Sequence, residues 1–82
     1  MWKDYITMDP EILNGKPVVK GTRLSVEFIL GLLANGWSRE DILRSYPQLD
    51  EEKLNAVILF AAECVKQVRK TLEEKAHGKI SC

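Results

Sequence analysis

Apolar residues fall into three patterned blocks along the chain, with turn-forming residues between them. The first, VEFILGLLA from Val26, is apolar on nearly every side, which predicts a helix set centrally and covered by the other elements. Ser25 precedes it as an N-cap, with Phe28 rather than an acid at the third helical position. Gly31 inside it costs about 1 kcal/mol of helix propensity against alanine, a cost that a close helix crossing explains. The second block is short. Asn35-Gly36 ends the first helix in residues that tolerate the left-handed conformation, Ser38 and Asp41 have capping-box spacing, and Pro47 ends the new helix at Tyr46. In the third block, residues 51–76 hold neither proline nor glycine, and Asp50 caps them ahead of Glu51 and Glu52. Leu54, Ile58, Ala61, Val65, Val68 and Leu72 recur there at spacings of four, three, four, three and four, a heptad-type seam on a helix roughly 39 Å long.

Leu33, Trp37, Ile42, Leu43, Leu49 and Leu54 supply apolar residues to these three helices and their tight turns. The outline is that of a helix-turn-helix core over residues 25–62, mainly α in class. Residues 1–24 read as an extended arm with short strands, and residues 63–82 as a helical extension and a frayed tail. Within the arm, WKDYIT (residues 2–7) suits a strand. Asp9-Pro10-Glu11 starts a single helical turn that Asn14-Gly15 stops. Pro17–Val19 and Arg23–Leu24 are extended pieces about a turn at Lys20-Gly21-Thr22, where Gly21 supplies a positive φ.

Eighty-two residues make one domain with a core near the lower limit for independent stability. Lysine plus arginine and aspartate plus glutamate number twelve each, so net charge advertises neither nucleic acid nor a membrane. Two cysteines, Cys64 and Cys82, form no disulfide framework and fit a reducing compartment. With no signal peptide and no spanning segment at the N-terminus, the expectation is a cytoplasmic protein.

Chemistry-bearing patterns are sparse. The one histidine, His77, stands in the expected tail, and the carboxylates cluster at helix starts, where capping accounts for them. No phosphate-binding glycine loop is present, and His77 with Cys82 makes no metal site. The reading is of a protein that is no enzyme and uses no cofactor. For DNA, the third helix would offer Asn55 to adenine and Lys53 to a phosphate, with Glu52, Ala56, Leu59 and Glu63 on the same outward face. Glu51 and Glu52 there oppose a phosphate backbone. Lys16, Lys20 and Arg23 in the arm are the better basic cluster, with Thr22 among them. Val65, Val68 and Leu72 lie beyond the core's expected reach and, with the apolar Leu59 on the outward face of the third helix, make the candidate partner or dimer interface. Folding of the long helix back onto its own domain is the competing account.

The run ILNGKPVVKGTRLSVEFILGLLANGWSREDILRSYPQLDEEKLNAVILFAA, residues 12–62, resembles the family known as domain of unknown function 433. The resemblance rests on Gly15-Lys16-Pro17, Gly21-Thr22-Arg23, Gly36 at the end of the first helix, and the Tyr46-Pro47-x-Leu49 turn. It implies a homeodomain-like helix-turn-helix fold and a VapBC-like antitoxin: a homodimer that neutralises a PIN-like ribonuclease toxin and binds operator DNA. It carries over no catalytic residues. Two alternatives stand beside it, a stand-alone helix-turn-helix regulator and a structural protein with neither DNA nor toxin partner.

Overall fold

The computed structural model describes residues 2–74. Two short strands, β1 (Ile6–Thr7) and β2 (Val18–Val19), pair antiparallel, with Ile6 opposite Val19 and Thr7 opposite Val18. Three helices follow: α1 (Val26–Ala34), α2 (Arg39–Ser45) and α3 (Glu51–Glu74). The fold is mainly helical with a small sheet, as the patterning predicts. The expected tail, with His77 and Cys82, and the last two expected helical residues, 75–76, lie outside the described residues.

The arm is more compact than an extended segment. After β2 the chain doubles back at Lys20–Arg23, with Gly21 at φ 81° as expected. The Val19 N–H then donates to the Leu24 carbonyl at 2.9 Å and the Val26 N–H to the Pro17 carbonyl at 2.9 Å. Val18 and Val19 are both fully buried, since β2 is flanked by β1 on one edge and by the returning chain on the other. Two expectations are corrected here. Trp2–Asp4 form a 3-10 turn rather than strand, because Trp2 docks edge-on against Phe60 of α3, ring centroids 4.8 Å apart, and this packing overrides β propensity. The expected helical turn after Pro10 is a tight turn closed by the Ile12 N–H on the Asp9 carbonyl. Leu13, Asn14 and Gly15 follow at φ 49°, 57° and 83°.

Helix ends are set where the capping residues stand. The Ser25 hydroxyl accepts the Phe28 N–H at 2.9 Å, and the Asp50 carboxylate accepts the Lys53 N–H at 2.8 Å. At α2 the box is reciprocal: Ser38 Oγ accepts the Asp41 N–H at 3.0 Å and Asp41 Oδ2 accepts the Ser38 N–H at 3.2 Å. These bonds satisfy N–H groups that a helix start otherwise leaves without partners.

One core joins all three helices to the sheet: Ile6, Val19, Val26, Ile29, Ile42, Leu49, Leu54, Ala56 and Val57. α1 is less central than its composition predicts. Only Val26 and Ile29 are buried, and Phe28 keeps 44% of its surface exposed, its ring edge-on to Tyr46 at 5.7 Å. A single layer of three helices has too few neighbours to cover an all-apolar helix on every side. Nor does Gly31 mark a close crossing, since nothing lies within 4 Å of where its Cβ would stand.

Candidate interaction surface

The basic turn of the arm is built by Thr22. Its hydroxyl donates to the Val19 carbonyl at 2.8 Å and accepts the Leu24 N–H at 3.0 Å, so Thr22 shapes the turn and has no hydroxyl proton left for a ligand. Lys20 and Arg23 project from this turn and are exposed. Among the described residues neither is within ion-pair distance of a carboxylate. Lys16 differs, lying 3.8 Å from Glu27 at the start of α1. The structure therefore brings Lys20 and Arg23 together as open cations and sets Lys16 against an acid.

At the start of α3 the two candidate base- and phosphate-contacting residues are engaged within the domain. Arg39 of α2 donates through Nη2 to Asn55 Oδ1 at 2.7 Å and also to Glu51. Lys53 Nζ lies 3.7 Å from the Asp50 carboxylate and 3.4 Å from the Gln48 carbonyl, beside its own cap. Glu52 accepts the Tyr5 hydroxyl from the arm. That bond, with the charge of Glu52 beside it, raises the Tyr5 pKa above its ordinary value of 10.0. Ala56, expected to face outward, is 2% exposed and belongs to the core that includes Ile6. The arm lies over this flank of α3, so the expected reading face is partly an internal contact.

The apolar seam is split by the packing. Leu54 is fully buried, Ala61 and Val68 are half-buried on the domain side, and Ile58, Val65 and Leu72 are exposed at 39%, 67% and 45%. Ile58 is thus corrected from inward to outward. The helix is rotated so that Val57, not Ile58, enters the core beside Leu54, because the arm claims the Ala56 flank. Leu59 is 53% exposed but stands about a third of a turn away from Val65, in a small hollow with Tyr5, Glu52 and Asn55. The candidate interface residues therefore occupy more than one face.

Beside the exposed seam runs an open groove of about 480 Å³ between α1 and the middle of α3, lined mainly by apolar atoms. Pro17, Val26 and Leu30 form one wall, Phe60, Ala61, Cys64 and Val65 the other, and Glu27 stands at the rim. Pattern reading had selected Val65 from this set as a surface residue. It missed Pro17 and Leu30, which become neighbours of α3 only through the turn of the arm and the crossing of α1. Arg39 was missed as well; its α2 position carries no signal of the contact to Glu51 and Asn55. Among the described residues no three histidine, cysteine or acidic side chains converge where a metal ion would be held. No helix among them is long and apolar enough to cross a membrane.

These features define a small helical protein with a strand-bearing arm and an uncovered apolar groove. Residues 6–61 match the family described as "Protein of unknown function (DUF433)", and the chain belongs to that family. It is 39% identical over 59 residues to the uncharacterized protein y4eO of Sinorhizobium fredii, a match covering 72% of this chain and 27% of the relative's length. The fold is similar to the crystal structure of a DUF433 member from Anabaena variabilis, with a TM-score of 0.74 at 22% identity. That likeness covers 83% of this chain and 67% of the other.

Proposed function

We propose that this protein is a non-enzymatic interaction module, antitoxin-like, whose groove between α1 and α3 receives an apolar segment of a cognate ribonuclease of the PIN type. In this reading α1, α2 and α3 serve as a helix-turn-helix-type scaffold, and the molecule acts by masking its partner. The observation that carries it is the groove itself: about 480 Å³ of apolar hollow continuing into the exposed Val65. An uncovered apolar surface of this kind on a small protein marks a contact site. The test is co-expression and co-purification with the product of the adjacent reading frame, which this reading expects to be a ribonuclease of that type. Val65→Lys is expected to abolish retention while leaving the melting temperature within about 2 °C, because Val65 is two-thirds exposed. Unchanged retention of the ribonuclease by V65K would reject the groove as its seat.

A second reading, binding of operator DNA, is supported by the open cations Lys20 and Arg23 on one rigid turn. It assigns phosphate contacts to the arm rather than base reading to α3, whose Asn55 and Lys53 are already engaged. Replacement of Lys20 and Arg23 by alanine is expected to remove salt-dependent binding to the operator. Full binding by that double variant would eliminate the arm as the DNA contact.

A further inference from the structure

The exposed side of α3 has a symmetry that the buried side lacks. Glu51, Asn55, Ile58, Ala62, Val65 and Arg69 recur at spacings of four, three, four, three and four, and all six are exposed. They therefore form one solvent-facing strip along the helix. The strip is acidic at its start, apolar in its middle and basic at its end, and Glu52 and Lys70 beside it repeat the same polarity. Glu51 and Arg69 are eighteen residues apart, five full turns, so they lie on one line down the helix.

We infer that this strip is the contact between two copies of the chain, paired through α3 in antiparallel orientation about a two-fold axis at residue 60. In that register Glu51 meets the second copy's Arg69, Asn55 meets its Val65, and Ile58 meets its Ala62. Each pairing is made twice, as a two-fold interface requires. The small Ala62 opposite Ile58 lets the two helices approach closely at the centre. Charge selects the orientation. A parallel pair sets Glu51 against Glu51 and Arg69 against Arg69, whereas the antiparallel pair joins opposite charges at both ends.

Arg39 is the other charged group packed at this end of the strip. It binds Glu51 Oε2 and leaves Glu51 Oε1 for the second copy's arginine, a carboxylate being able to accept from two guanidinium groups. Arg69 makes no ion pair among the described residues. Leu72 extends the strip by one further turn and is 45% exposed. The inference shares with the proposed function the premise that the bare side of α3 is a contact surface, and it shares Val65, whereas the charge pair Glu51 and Arg69 lies outside the groove lining. It concerns the strip rather than the groove.

The test uses the full chain in low-salt buffer, followed by sedimentation equilibrium. Glu51→Arg and Arg69→Glu singly are expected to raise the dimer dissociation constant about tenfold, since each reverses two pairs at once. The double variant, E51R with R69E, is expected to return it to within about threefold of the wild type. Rescue is the decisive readout, because a merely structural role for Arg69, or a contact with some other protein, is not restored by the swap. A spin label at Lys70→Cys, with Cys64 and Cys82 changed to serine, reads the orientation. Twenty residues of helix separate the two labels along the antiparallel pair, about 30 Å, against about 10–15 Å for a parallel one. A monomer at millimolar concentration, a short label distance, or a swap that fails to rescue would each overturn the inference. Retention of the ribonuclease by a monomeric protein would sink this interface and leave the proposed function standing. A rescued dimer that retains no ribonuclease would do the reverse.

Discussion

At the scale of single residues, one position carries a free-energy cost that the fold does not require. Gly31 sits inside α1 with helical neighbours and open space where a Cβ would go. Gly31→Ala is therefore expected to stabilise the protein by about 1 kcal/mol in urea unfolding, through the smaller entropy lost by alanine. A destabilised variant would show that some contact uses this surface in the free protein. Asp41 works in the opposite sense. The hydrogen bonds to Ser38, side chain first and then backbone, hold its carboxyl below the usual value of 3.8, with Arg44 adding a smaller pull. Because the folded-state pKa is lowered, the stability contributed by the capping box is present above the unfolded value and is lost as pH falls through the folded one. The gap in melting temperature between wild type and Asp41→Asn is accordingly expected to be widest near neutrality and to close below pH ~3.8. A gap that stays constant into strong acid would mean that ionised Asp41 contributes nothing to the cap.

Among elements, the relation of the arm to α3 organises the rest. The arm crosses the start and middle of α3 through Tyr5 on Glu52 and Trp2 on Phe60. This places Ala56 in the core, turns Ile58 outward and divides the heptad seam between a buried and an exposed half. Trp2→Ala is expected to lower stability by about 2 kcal/mol, less than the loss of a fully buried tryptophan because Trp2 is half-buried. An unchanged denaturant midpoint would show that the arm is not docked in solution. The turn at Lys20–Arg23 belongs to the same element, held by Thr22 and by the return of the chain along β2. The turn expected at Lys20-Gly21-Thr22 thus presents two cations on a hydrogen-bonded bend of the arm.

For the whole molecule, the core occupies the end where α1, α2, the sheet and the start of α3 meet, and among the described residues none of α3 beyond Val57 is fully buried. Two surfaces result, an apolar groove and strip along α3 and a basic turn on the arm. If the turn engages DNA, two phosphate contacts are at stake. Removing Lys20 and Arg23 is then expected to reduce the slope of log binding constant against log salt by about 1.8. An unaltered slope would place any phosphate contact elsewhere. What the chain alone determined was local. Helix starts at Ser25, Ser38 and Asp50, the stops at Asn35-Gly36 and Pro47, and the turn at Gly21 all stood where expected, because capping and left-handed backbone depend on adjacent residues. Resemblance of residues 12–62 to the family was legible too, from short motifs at fixed spacing. Tertiary structure alone decided which side of α3 is buried, the engagement of Asn55 and Glu51 by Arg39, and the groove that joins Pro17 and Leu30 to Val65. An amphipathic pattern with apolar residues on more than one side fits several rotations of a helix. Only contacts between residues distant in the chain, Trp2 with Phe60 and Tyr5 with Glu52, choose among them.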